Sequence, residues 1–361
     1  SRDWSSDVCS SDLNAYFVSV VKNDATSVKN QGNTGTCWSF STTSLIESQA
    51  LKNKLGAYDL SEMFTVRNIY IEKAKNYIHR QGHAQFSQGA LGHDLIRSYA
   101  RYGAMPESAY SGLMNGANTY NHLFLYNLLK VYLDDLLKKS GLSTIEDNWL
   151  DGYTAILDKY MGVPPAKFTY NNKEYTPISF AKEVLRFNAD DYVNITSFSG
   201  YDYYKPLIIE VPDNFSNGAY YNMPMNEMID MVKRSLYMGY TVLWDADVSN
   251  NGFNNEKGLA LFLKDENANE LDLTPNTKEA SINEKIRQQL YDNLTTQDDH
   301  LMHIVGIEKT KEGKTFFIVK NSWGESGAAK GYLHVSESYF AINTISLVVP
   351  KAVINQTILN N

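Results

Sequence analysis

The hydrophobic pattern of the chain changes period once, near residue 165, and that change limits the architectures open to it. Before it, apolar residues recur at helical spacing. Leu123, Leu125, Leu128, Leu129, Leu136 and Leu137 mark one face of a helix over Tyr120–Lys139 that Gly141 ends. Further helices are expected from Cys37 to before Gly56, from a Ser61 cap to near Gly82, from Leu91 to Tyr102 ahead of Gly103 and Pro106, and from Ile145 to Tyr160. After it, strand signals dominate. Residues 167–175 read as a small hairpin about Asn171-Asn172, and strands are expected at 192–198, 207–211, 241–244, 300–308, 315–321 and 331–335. Helices are interspersed at Asn226–Tyr237 and Ile282–Asn293. Helices first and strands later predict an α+β fold of two halves, mainly helical over about 30–165 and β-rich over about 190–350, with a cleft between them.

Composition removes several function classes. The 361 residues contain only Cys9 and Cys37, so one disulfide is the maximum and a thiolate zinc site is excluded. His79 and His83 are four apart, but Gly82 lies between them and no third ligand accompanies them, so no metal and no cofactor is expected. A net charge of −8 argues against nucleic acid and anionic membranes as partners. No apolar run approaches the ~20 residues of a membrane span. Residues 1–13 are Ser/Asp-rich without an apolar core and read as a non-native extension, which sets Cys9 aside. Residues 14–350 then form one unit, with 351–361 as a tail. The missing signal peptide favours the cytoplasm, with the periplasm or secretion open if the native N-terminus has been lost.

The chemistry concentrates in three segments. In Gln31-Gly32-Asn33-Thr34-Gly35-Thr36-Cys37-Trp38-Ser39-Phe40, a Gly-rich turn delivers a cysteine to the first turn of a helix. Free N–H groups and the positive helix end favour its thiolate there, although a lone cysteine is ordinarily a small buried hydrophobe. A base is available in Asp298-Asp299-His300-Leu301-Met302-His303. Alternation along a strand sends His300 and His303 to opposite faces, so one of the two can meet Cys37. In Lys320-Asn321-Ser322-Trp323-Gly324, the Asn amide can accept an imidazole N–H and hold the tautomer, and Trp323 can shield that bond.

These segments resemble the motifs of the papain superfamily of cysteine peptidases, and more narrowly its bleomycin hydrolase/aminopeptidase C branch. Gln31 followed six residues later by Cys37-Trp38-Ser39-Phe40 resembles the nucleophile motif. Asp299-His300 resembles the histidine motif and selects His300 over His303. Asn321-Ser322-Trp323-Gly324 matches the Asn motif. Leu60-Ser61-Glu62 and Tyr102-Gly103 are similar to family features of the helical half. Small papain-type enzymes place His and Asn ~130–150 residues after Cys. Here the separations are 263 and 284 residues, so a large insertion lies between Cys37 and His300, with Tyr120–Asn217 its expected place. Insertion without a disulfide framework resembles the bleomycin hydrolase branch.

The resemblance implies a papain-like two-subdomain fold, helical in one half and β-barrel-like in the other. It implies catalytic Cys37, His300 and Asn321, an oxyanion hole that includes Gln31, and supporting Trp38 and Trp323. Peptides are the implied substrates, cleaved through a thioester acyl-enzyme. Gly89 and Ala90 are expected to line the substrate cleft, where a glycine lets a backbone approach closely. In this branch a C-terminal arm enters the cleft, and its carboxylate anchors the substrate amine. Here Pro350 to Asn361 is a shorter tail, so aminopeptidase action is the expectation and endopeptidase action the alternative. A catalytically silent peptide-binding protein and acyl transfer to an acceptor other than water are the other readings. The branch includes hexamers, so a homo-oligomer is expected.

Overall fold

The computed structural model describes residues 13, 15–140, 144–265, 269 and 272–354. The helical half follows the expected order. Helices occupy Cys37–Lys52, Glu62–His79, Gly92–Tyr102, Leu123–Ser140 and Trp149–Met161. Ser61 caps the second, its side chain accepting from the Phe64 N–H. Gly103, at φ +82°, ends the third and packs against the Pro177 backbone, which leaves no space for a Cβ. The fifth helix begins at Trp149 rather than Ile145. The segment expected to be inserted supplies the Leu123–Ser140 and Trp149–Met161 helices and a short Pro177–Glu183 helix absent from the sequence reading. These pack on the Glu62–His79 and Gly92–Tyr102 helices, so the insertion enlarges the helical half.

The strands are β1 Phe17–Lys22, β2 Phe168–Tyr170, β3 Lys173–Tyr175, β4 Tyr192–Thr196, β5 Pro206–Ile208, β6 Ala219–Asn222, β7 Val242–Ala246, β8 Phe253–Asn254, β9 Leu259–Ala260, β10 His300–Thr310, β11 Thr315–Lys320, β12 Tyr332–Ser336 and β13 Thr344–Pro350. β2 and β3 form the expected hairpin. The other eleven form one sheet in the order β5-β6-β4-β13-β7-β10-β11-β12-β9-β8, with β1 paired to β10. This barrel-like half is an open sheet, since the path of pairing ends at β5 and β8. β1 was not anticipated: its Phe-Val-Ser-Val-Val run lies far from the other strands in sequence, and only pairing with β10 makes it a strand. The expected 207–211 strand shrinks to β5, and a helix at Glu337–Asn343 went unread.

Two large apolar cores result among the described residues, beside a small third cluster around Leu261 and Phe316. One fills the helical half around Trp38, Tyr70, Tyr99 and Phe180. The other lies against the sheet around Trp244, Phe317 and Phe340. The Cys37–Lys52 helix crosses between them, lying on β10 and touching β7. Of the proposed N-terminal extension only Leu13 is among the described residues, and the tail lies outside them from residue 355 onward.

Candidate active site

The nucleophile candidate sits where the sequence placed it. Cys37 is the first residue of its helix, and Thr36 precedes it as N-cap. The turn before it is held from both ends. Gly32, at φ +62°, faces the Tyr120 carbonyl, which a Cβ would meet at 2.4 Å. The Gly35 N–H donates to Gln88 Oε1 at 3.0 Å. Trp38 is fully buried and its indole N–H donates to the Gln88 carbonyl at 3.0 Å. This bond ties the nucleophile helix to the loop carrying Gly89. The Leu301 backbone lowers the Cys37 thiol, and Ser41 Oγ donates to the Leu301 carbonyl at 2.6 Å. The helix is thereby fixed on the first residues of β10.

β10 begins with His300. Its Nε2–H donates to Asn321 Oδ1 at 2.7 Å, which leaves Nδ1 as the unprotonated nitrogen. The Trp323 ring stacks on the imidazole, centroids 4.6 Å apart at 28°. Asn321 is itself oriented: its Oδ1 also accepts the Ser322 N–H at 2.8 Å, and its Nδ2 donates to Asn255 Oδ1 at 3.1 Å. Gln31 is 6% exposed. Its Nε2 donates to the Thr34 carbonyl at 2.7 Å, and its Oε1 accepts from Ser322 Oγ at 2.6 Å. One hydrogen of the Gln31 amide thus braces the turn, and its oxygen is tied to the residue after Asn321. His303 lies on the other face of β10, as alternation requires. Its Nδ1 meets Ser44 Oγ at 2.9 Å, away from Asn321.

The site is closed in this structure. Cys37 is 7% and His300 4% exposed, and no hydrogen bond joins the two. Burial pushes the Cys37 thiol up to about 12, an effect that neighbouring carboxylates reinforce and the Leu301 backbone opposes. Burial also pulls His300 down to about 4, against the Asn321 hydrogen bond. Burial thus disfavours the charged form of each group in this closed arrangement.

Of the two residues expected in the cleft, Ala90 departs from the expectation and Gly89 is half-buried. Ala90 is fully buried in the helical core. Gly89 is a glycine for another reason: a Cβ there would lie 1.7 Å from Asp213 Oδ2. Its carbonyl accepts from the buried Lys73 Nζ. Three residues escaped sequence reasoning. Asn255 lies in an Asn-rich turn whose composition signals only a turn, Ser322 is hidden inside the Asn motif, and Leu301 acts through its backbone.

Comparisons with known proteins agree with this geometry. The model of the Peptidase C1-like family matches residues 90–361, and that of the papain family cysteine proteases matches residues 17–67. The chain is 23% identical to aminopeptidase C of Lactobacillus delbrueckii subsp. lactis, covering 92% of this chain and 81% of that protein. It is 22% identical to the bleomycin hydrolase of Rattus norvegicus, over 95% of this chain and 84% of that one. The crystal structure of PepW from Lactobacillus rhamnosis superimposes with a TM-score of 0.73 at 20% identity, covering 95% and 84% of the two chains. The chain belongs to the Peptidase C1-like family of papain-fold cysteine peptidases.

Proposed function

We propose that this protein is an aminopeptidase that hydrolyses peptide bonds with Cys37 as nucleophile, His300 as acid–base and Asn321 as the residue that orients the imidazole. The observation that carries the reading is the His300 Nε2–Asn321 Oδ1 bond at 2.7 Å under the Trp323 ring. It leaves the basic Nδ1 of an otherwise fixed imidazole on the strand against which the Cys37 helix packs.

In the reaction, Nδ1 takes the Cys37 proton and the sulfur attacks the scissile carbonyl carbon. The C–N bond breaks as His300 returns that proton to the leaving amine, which gives a thioester. Water, deprotonated by the same nitrogen, attacks the thioester. The C–S bond breaks and Cys37 recovers its proton. The developing oxyanion is met by the Cys37 N–H, free at the helix N-terminus, and by the second hydrogen of the Gln31 amide. Burial disfavours both charged forms, so substrate entry and contact of the sulfur with the imidazole assist the charge separation.

The names of the relatives support an aminopeptidase over an endopeptidase. A cytoplasmic location is also our reading, supported by a nucleophilic thiol that must remain reduced. Among the described residues no helix is long and apolar enough to cross a membrane. The test is one peptide offered with a free α-amine and with an acetylated one under reducing conditions. Cleavage of the free-amine form alone, lost in Cys37→Ala, is expected. Equal cleavage of both forms contradicts the aminopeptidase reading, and cleavage of neither contradicts the peptidase reading.

A further inference from the structure

His300 opens β10, so the chain just before it lies outside the strand ladder and needs another hold. That hold comes from Asp247, which follows β7 and stands next to Ala246, the residue paired with His300. Asp247 is fully buried. Its Oδ2 accepts the Gln297 N–H at 2.8 Å. Its Oδ1 accepts the Ser249 N–H at 3.0 Å, Ser249 Oγ at 3.2 Å and Asn250 Nδ2 at 3.2 Å. Beside it, the Val248 N–H donates to Asp299 Oδ2 at 3.2 Å. Residues 297 and 299, on the approach to His300, are thus tied to the turn after β7.

The same turn is anchored from behind by the Glu337–Asn343 helix. The Asp247 N–H donates to the Asn343 carbonyl at 3.0 Å, and the Tyr339 hydroxyl donates to the Asp247 carbonyl at 2.9 Å. Asn250 Nδ2 also donates to the Tyr339 hydroxyl oxygen at 2.9 Å. Among the described residues Asp247 forms no salt bridge, and every partner of its carboxyl is a group that shapes the chain. Such a buried acid is costly unless each donor is in place, so the turn and its contacts stand or fall together. Further along, the segment reaches the two groups that hold the imidazole. The Phe253 ring meets Trp323 edge-on, centroids 6.2 Å apart at 79°, and meets Tyr339 at 6.2 Å. Asn255 Oδ1 accepts from Asn321 Nδ2 at 3.1 Å. One segment, residues 247–255, therefore touches the backbone before His300, the indole stacked on it and the amide bonded to it.

We propose that Asp247 is a positioning residue for the reaction, the anchor through which residues 247–255 hold His300, Asn321 and Trp323 in one arrangement. This rests on the cysteine peptidase reading above, in which His300 Nδ1 exchanges a proton with Cys37. Nε2 is fixed and Nδ1 is free, so a shift of the ring carries the reacting nitrogen away from the sulfur. A displacement of about 1 Å can cost ~10²-fold in rate. The Asp247 carboxyl touches neither substrate nor reacting atoms. Its effect passes through the Gln297 N–H to the start of β10, and through Phe253 and Asn255 to Trp323 and Asn321. A purely structural role would lower the folded fraction and leave the folded molecules as active as before.

The test is a double-mutant cycle, with Asp247→Ala made in the wild-type and His300→Ala backgrounds and each protein corrected for its folded fraction. The readouts are kcat and KM on a free-amine peptide, and the pH dependence of Cys37 alkylation by iodoacetamide. In the wild-type background Asp247→Ala is expected to lower kcat ~10–100-fold with KM within about threefold. Its alkylation profile should move toward that of a free thiol, with a midpoint near pH ~8.5. In the His300→Ala background the same substitution should cost less than about twofold. An equal loss in both backgrounds, or an unchanged kcat and alkylation profile in the wild-type background, overturns the inference and leaves the peptidase reading standing. Should Asp247→Ala not fold, Asp247→Asn, which keeps the shape of the side chain, carries the same prediction with a ~10-fold loss in kcat. If His300→Ala itself keeps the wild-type kcat, the acid–base reading fails, whatever Asp247 does.

Discussion

The Cys37–Lys52 helix presents two polar clusters built from the same residue types. At its start, Cys37 opens the helix, and on β10 His300 is held by Asn321 under the Trp323 ring. Further along, Ser44 and Glu47 enter a buried ionic layer. There Lys29 bridges Glu62 at 2.7 Å and Glu47 at 3.7 Å, and Lys320 Nζ donates to Ser44 Oγ at 2.8 Å. The Leu60 N–H closes on Glu47 Oε1 at 2.9 Å. Each cluster has its own histidine, three residues apart on β10. His300 has a fixed Nε2 and a free basic nitrogen, whereas His303 bonds Ser44 and buries an unpartnered Nε2. Where charges are matched within the chain, they hold the helix on the sheet. Where a nitrogen is left open, as at His300 Nδ1, the proposed chemistry can use it.

This contrast can be broken at either end. The largest effect is expected from Cys37→Ala, which should lower turnover by ~10⁴-fold or more while the urea unfolding midpoint stays put. Glu47→Ala should show the reverse weighting. Removing one member of a buried ion pair costs about 3–5 kcal/mol, read as a lower midpoint in chemical denaturation, with kcat of the remaining folded enzyme changed far less. A Glu47 variant of full stability and no activity would erase the distinction.

Gln31→Ala sits between the two regimes, since its amide braces the turn and is proposed to meet the oxyanion. Its kcat should fall ~10²–10³-fold, and a loss confined to KM would remove it from the oxyanion hole. The smallest effect concerns pH. His300 has a folded value depressed to about 4 against ~6.5 when unfolded, so the unfolded chain binds more protons between those values. Its contribution to stability is complete above pH ~6.5 and is lost as pH falls toward 4. The unfolding free energy of His300→Ala should therefore decline less than that of wild type over this window, by on the order of 2 kcal/mol. Parallel declines would mean that His300 is not buried in its neutral form.

Much of the catalytic geometry was legible because it depends on local rules. A Gly-rich turn into a helix, a histidine opening a strand and an Asn-Ser-Trp-Gly turn each declare themselves within ten residues. Strand alternation separated His300 from His303 correctly. What escaped depends on chain reversals that no local pattern encodes. β1 becomes a strand only by pairing with β10, and Asn255 matters only because the turn before β9 folds back on Asn321. Gly89 was read as an opening for substrate. The residue that fills the space over it, Asp213, is 124 positions away. At Cys37 two effects oppose each other: the helix start favours a thiolate, and burial around the sulfur disfavours it.

The central claim is that His300, and not its neighbour on the opposite face, drives the chemistry of Cys37. The most direct test compares kcat/KM of His300→Ala and His303→Ala on one free-amine peptide, each corrected for its folded fraction. We expect His300→Ala to lose ~10²–10⁴-fold and His303→Ala to stay within about tenfold of wild type. Equal losses, or the larger loss at His303, would contradict the account.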